Sequence, residues 1–234
     1  MMDINFPFHI TLLFEITVVV TLIWFYFASK SKTGFIVLCI WVIIQSILAK
    51  NGFFQDTEMV PPKLMLFGVL PSLVVIVLLF LTKGGKSLID DIDLKSITSF
   101  HVIRVPVEIT LVLLFYGGWV SEYMTYEGTN FDIFSGVTAP FVAIYAVRHE
   151  ALKPKRLLTW NIICLLLLLN VVITAIFALA SPFQKIAFDQ PNVAVMYFPF
   201  NLLPSVVVPL VFFAHLVAIR QILTQLKNQK MKLD

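Results

Sequence analysis

An imidazole, a guanidinium and a carboxylate stand at spacings of three and four in the stretch HVIRVPVE, as His101, Arg104 and Glu108. On a helix those spacings put all three within about 60° on one face. Such a face can anchor an anion, handle a proton, or simply neutralise itself. Arg104 and Glu108 form an i, i+4 pair, and Pro106 between them frees a backbone carbonyl at the same level. Glu108 is the candidate proton- or cation-responsive group. Arg104 is its counter-ion or an anchor for an anionic ligand.

The apolar run ITLVLLFYGGWV follows directly, so these charges enter a membrane span. From a start near Thr98, at about 1.5 Å per residue, Glu108 falls about 15 Å in, close to the midplane of a ~30 Å hydrocarbon layer. A charge facing lipid at that depth costs ~3 kcal/mol or more, so this face is expected to look into the bundle. Further polar residues fall on later apolar segments: Asn161 and Asn170 on the sixth and His215 on the seventh. By depth, His101, Arg104, Asn161 and His215 share one half of the membrane, with Asn170 nearer the middle. Together with Glu108 they make a candidate ligand or proton-handling pocket.

Two histidines beside a carboxylate raise the question of a metal. The sequence has no HxxxH or HExxH spacing and no second histidine on either helix, so neither a metal nor a cofactor is expected. Cys39 and Cys164 both lie inside apolar runs, outside any CxxC pair, and read as small buried thiols.

A second set of polar residues gathers at the opposite ends of the spans. MTYEGTNFDIFSGVTAP carries Glu127, Asn130 and Asp132, with Asn130 or Asp132 placed to cap the helix that follows. The loop after the sixth segment supplies Asp189 and Gln190, and the first two segments add Glu15 and Gln45. These seven residues are candidates for an outer vestibule. Pro199, Pro204 and Pro209 imply a bent or partly unwound seventh helix, a device that frees carbonyls and often lines cavities.

The elements that position these groups follow from composition. Of 234 residues, 59% are hydrophobic and 13% charged, with a mean hydropathy of +0.92. That is about half the charged fraction of a soluble domain, so the fold class is all-α and polytopic, with lipid as the solvent. No basic patch interleaved with aromatics suggests nucleic-acid binding. Seven segments are apolar enough to cross: 8–28, 34–50, 63–82, 98–120, 131–148, 157–180 and 197–222. The connections are short, so the chain reads as one transmembrane domain. The first segment lacks a basic n-region and a cleavage site, and reads as a retained helix.

With the N-terminus outside, thirteen of the 17 Lys and Arg residues fall on the inner side and three on the outer. The remaining one is Arg104. The positive-inside rule therefore predicts seven spans with the N-terminus out and the C-terminus cytoplasmic.

HVIRVPVE, MTYEGTNFDIFSGVTAP and AFDQPNVAVMYFPF together resemble a group of uncharacterised bacterial seven-span inner-membrane proteins. The resemblance implies a multi-pass location in the bacterial inner membrane and brings no known activity. Better-known seven-span families differ at defining residues. A retinal protein needs a lysine in the seventh span, and 197–222 has none; the zinc-histidine families need a paired set late in the chain, where only His215 stands.

Three readings of function follow. The first is binding or transport of a small molecule or ion through the polar pocket on the fourth span. The second is a structural, partner or sensor subunit whose charges only fasten helices. The third is an intramembrane enzyme acting on a lipid or quinone, with His101 or His215 as base. The sequence assigns no oligomeric state and no partner beyond the lipid bilayer.

Overall fold

The computed structural model describes residues 4–148 and 154–231, with the side chains of 146–148 left aside. Lys153 and Lys232, which enter the Lys and Arg count above, lie outside the described residues. Among the described residues the protein is all-helical, with no strand.

The described residues form nine α-helices in order: α1 Phe8–Ser29, α2 Lys32–Lys50, α3 Leu70–Leu81, α4 Lys83–Asp91, α5 Leu94–Ser99, α6 Arg104–Tyr116, α7 Ile133–Arg148, α8 Pro154–Ala178 and α9 Val208–Met231. Wider π-helical turns, Leu64–Val69 and Leu203–Val207, lead into α3 and α9. A tightened 3₁₀ turn, Phe100–Ile103, joins α5 to α6 in one rod, Leu94–Tyr116. Among the described residues, six helical rods are long and apolar enough to cross a membrane. The segment expected at 131–148 begins at Ile133, and its apolar helix, Ile133–Tyr145, is shorter than the other six. It starts late because Asn130 and Asp132 are drawn into the bundle, as described below.

Local chemistry sets the ends. Ser31 caps α2 by accepting from Gly34 N (3.1 Å), Thr82 caps α4 through Gly85 N (3.2 Å), and Asp93 caps α5 through Ser96 N (2.7 Å). The Asp93 cap lets the fourth rod begin at Leu94, four residues before the expected 98. Arg104 is then the eleventh and Glu108 the fifteenth of its 23 residues, so Arg104 lies nearer the midpoint than Glu108. The rod expected at 197–222 starts at Leu203, after a stretch of turns containing Pro199, and continues to Met231.

Prolines account for the irregular turns. Pro71 and Pro209 lack the N–H that would reach the Phe67 and Ser205 carbonyls four residues earlier. Both carbonyls fall in the π-helical turns that precede the prolines. Pro106 does the same to Val102, inside the tightened turn.

Burial separates central rods from peripheral ones. In Leu94–Tyr116 and Leu203–Met231, 61% of an 18-residue apolar stretch is buried, against 11% of the same length in α2 and 17% in Leu64–Leu81. The central rods therefore have room to hide polar groups from lipid, and they carry His101, Arg104, Glu108 and His215. Phe25 joins them from α1, with ring centroids 6.2 Å from Phe100 and 5.9 Å from Phe213. At one end α4 docks on α9 through a bidentate Arg220–Asp90 pair (3.0 and 3.1 Å) and Gln221 Nε2 on the Ile89 and Ile92 carbonyls.

Candidate functional site

His101, Arg104 and Glu108 are all buried, at 0%, 2% and 2% exposure, so the polar face of the fourth rod does point inward. What brings partners to it is close approach of α7. A Cβ on Gly136 would stand 2.9 Å from Val105 Cγ2 and 3.2 Å from Arg104 Cβ, so only glycine lets the first turn of α7 lie this tightly on α6. That contact carries Asn130, Asp132 and Ser135 into the interior, where they are 0%, 4% and 0% exposed.

Arg104 sits at the centre of the resulting network. Its Nη1 donates to Asp132 Oδ1 at 2.7 Å, forming a buried ion pair, with the Cys164 carbonyl at 3.5 Å. Its Nη2 lies 2.9 Å from His215 Nε2. A guanidinium can only donate, so Nε2 must be the acceptor and the proton of a neutral imidazole must be on Nδ1. That assignment agrees with the other side of the ring, where His215 Nδ1 donates to Asn161 Oδ1 at 3.0 Å. Asn161 Nδ2 in turn donates to the Leu157 carbonyl (3.0 Å).

The network also runs the other way. Asp132 N–H donates to Asn130 Oδ1 (2.9 Å). Asn130 Nδ2 donates to the Glu108 carboxylate, 2.8 Å from each oxygen, and to the Met124 carbonyl (2.8 Å). One connected chain thus links the Leu157 carbonyl near the start of α8 with Met124 beyond the end of α6. The groups assigned from sequence to an inner pocket and to an outer vestibule meet at the Arg104–Asp132 bond.

Two departures from the sequence reading matter chemically. Arg104 takes Asp132 rather than Glu108 as its ion partner, because the i, i+4 neighbour lies along its own helix while Asp132 faces it across the contact at Gly136. Glu108 consequently has no basic group within ion-pair distance among the described residues. The cluster holds one guanidinium and two carboxyl groups.

His101 is the anomaly. Its ring stacks on His215 at 3.9 Å and 17°, with Trp160 edge-on at 5.8 Å. Trp160 is held by its own Nε1 donating to Thr138 Oγ1 (3.0 Å). Yet both ring nitrogens of His101, and Arg104 Nε beside it, are buried with no hydrogen-bond partner among the described residues. Each such group costs about 1–3 kcal/mol when left unpaired.

The other expected site residues turn elsewhere. Asn170 is exposed and donates to the Thr129 carbonyl (3.1 Å). Glu127 is exposed and accepts from Tyr116 OH (2.6 Å). Asp189 is exposed, and Glu15 is half-buried. Gln190 Nε2 ties the Phe115 and Val120 carbonyls at 2.8 and 2.7 Å.

Gln45 belongs to a second buried cluster that contains no charge. Its Nε2 donates to Phe67 O (3.0 Å), one of the carbonyls released by proline. The other, Ser205 O, accepts from Trp41 Nε1 (3.0 Å) and Ser72 Oγ (2.9 Å). Asn201 and Ser205 complete it, and sequence reasoning passed over both. The available signal was the four-residue offset from Pro71 and Pro209 back to two carbonyls that need donors from outside.

Among the described residues no three His, Cys, Asp or Glu side chains come together as metal ligands. No curated protein and no solved structure matches the sequence. A family model, described as a domain of unknown function (DUF8737), matches residues 61–223. That stretch includes every member of the charged network from His101 to His215. Covering well over half of the sequence, the match shows that this membrane-type helical chain belongs to the DUF8737 family.

Proposed function

We propose that this is a seven-span protein of the bacterial inner membrane, N-terminus out and C-terminus in, which binds or transports a small polar molecule or ion at the buried network of α6. The basic residues favour that orientation, with Ile133–Arg148 as the remaining crossing. His101 and Arg104 contact the ligand, and Glu108 responds to protons. One guanidinium with two carboxyl groups is electrically neutral when Glu108 carries a proton and Asp132 does not.

The observation that carries the reading is His101. A device serving only to fasten helices gains nothing from a wholly buried imidazole with neither nitrogen bonded, next to an unbonded Arg104 Nε. Three unpaired atoms on adjacent side chains suit a small polar ligand that bonds to them together.

The competing reading, a structural or partner subunit, has its own observation in the short Arg104–Asp132 pair (2.7 Å). One experiment separates them. The purified protein is screened by thermal shift against small anions, cations, amines and sugars at two pH values, beside Glu108→Gln. The binding reading expects at least one compound to raise the melting temperature, with a pH dependence that Glu108→Gln removes. If no compound acts, and the double variant Arg104→Met/Asp132→Leu matches the wild type in stability, the charges only fasten helices.

A further inference from the structure

A groove on the lipid-facing surface is marked by charge as well as by shape. It lies between α3 and α9, holds about 420 Å³, and is lined by apolar side chains alone. Ile76 is its buried floor, Leu73, Val77 and Leu81 form the exposed rim on α3, and Phe212 and Leu216 line it from α9. From Leu73 to Leu81 it runs about 12 Å along α3. At the Leu81 end the chain turns sharply into α4. Thr82 caps that helix, and a Cβ on Gly85 would collide with the Leu79 carbonyl, so glycine lets α4 fold back tightly over the end of α3. Lys83 and Lys86 are thereby held at the end of the groove, two and five residues beyond Leu81. Neither has a carboxylate within ion-pair distance among the described residues. Asp90 and Asp91 stand at the far end of α4, and Asp90 is held by Arg220.

We propose that the groove and the two lysines bind one anionic phospholipid, with its phosphate against Lys83 and Lys86 and one acyl chain between α3 and α9. An apolar groove at hydrocarbon depth offers water no partner, and two unpaired ammonium groups at its end call for an anion. A molecule that meets both is apolar along about 12 Å and negative at one end. A neighbouring helix covering Leu73 and Val77 would leave the lysines unmatched unless it also brought an acidic residue to them. A free phosphate would meet the lysines and leave the groove bare. The site is separate from the Arg104 network. It requires only that α3 and α9 cross a membrane, and does not depend on the ligand proposed for that network.

The test uses the full-length protein, freed of lipid in detergent, and native mass spectrometry with dioleoyl phosphatidylglycerol as the probe. One lipid per chain should be retained, about ten-fold or more tighter than the neutral dioleoyl phosphatidylcholine. Lys83→Gln/Lys86→Gln should remove that preference, because each lysine contributes about five-fold. Val77→Trp, which fills the groove and leaves both lysines in place, should weaken phosphatidylglycerol binding about ten-fold or more. Free glycerol phosphate should not compete. Equal retention of the two lipids by the wild type, which needs no variant, overturns the proposal and leaves an unspecific lipid annulus. So does a preference that survives the double lysine variant, binding undiminished in Val77→Trp, or displacement by glycerol phosphate. A dimer that Val77→Trp breaks would assign the groove to a second copy of the chain, and overturns the proposal as well.

Discussion

The two buried polar clusters solve the same problem with different means. Around Arg104 the membrane interior holds formal charges, and they are tolerated because a carboxylate, an imidazole and two amides close on one another across α6, α7, α8 and α9. Around Ser205 there is no charge. The polar groups are backbone carbonyls released by Pro71 and Pro209, and side chains of α2 and α3 supply the donors. The first cluster is assembled by long side chains that need partners on other helices. The second is assembled by defects in the helices themselves. Damage to the first should therefore be electrostatic and severe, and damage to the second should resemble the loss of single hydrogen bonds.

The largest expected effect lies at the ion pair. Arg104→Met leaves the Asp132 carboxylate buried without its counter-ion and His215 Nε2 without its donor, and should destabilise by about 3–5 kcal/mol. Adding Asp132→Leu should recover most of that loss. Chemical or thermal unfolding in detergent measures both, and a double variant no better than the single one would mean that the pair is not self-contained. Next comes the contact that creates it. Gly136→Ala forces a methyl to within 2.9 Å of Val105 Cγ2 and should cost about 1–3 kcal/mol by pushing α7 off α6. Its diagnostic is coupling: in the Arg104→Met/Asp132→Leu background the cost of Gly136→Ala remains steric, whereas in the wild type it also strains the ion pair. In the uncharged cluster, Trp41→Phe removes one of two donors from Ser205 O and should cost about 1 kcal/mol. A loss as large as that of Arg104→Met would erase the distinction between the two regions.

How much of this was legible depended on whether the information was local. The inward face of the fourth span follows from the spacing of His101, Arg104 and Glu108 and from the cost of charge in lipid, and neither requires knowledge of the neighbours. The proline-broken start of the Leu203–Met231 rod follows from Pro204 and Pro209 in the same way. The partner of Arg104 does not. Glu108 sits four residues away in sequence, and Asp132 becomes the closer carboxylate only because Gly136 permits one particular helix contact. Asn130 and Asp132 read as caps or vestibule residues because they precede an apolar run, and their burial is a property of the packed bundle. Asn201 and Ser205 stayed hidden because their partners, Gln45, Trp41 and Ser72, stand on α2 and α3, more than a hundred residues earlier.

The smallest expected effect is also the one with an unusual sign. His101→Phe keeps an aromatic ring against His215 and Trp160 and removes two buried nitrogens that have no partner among the described residues. Deleting an unsatisfied polar group in favour of an apolar one of similar shape is neutral or stabilising, so this variant should gain up to about 1 kcal/mol. It should at the same time lose the response to any compound that stabilises the wild type. A gain in stability with a loss of response marks a residue kept for its ligand, because strain retained at a site is offset by what binds there. A fall in stability of about 1–3 kcal/mol instead would mean that the nitrogens are satisfied by ordered water, and the His101 argument for binding would fail with it. The same measurement on His215→Phe gives the contrast. There both ring nitrogens are bonded, so destabilisation is expected whether or not a ligand exists.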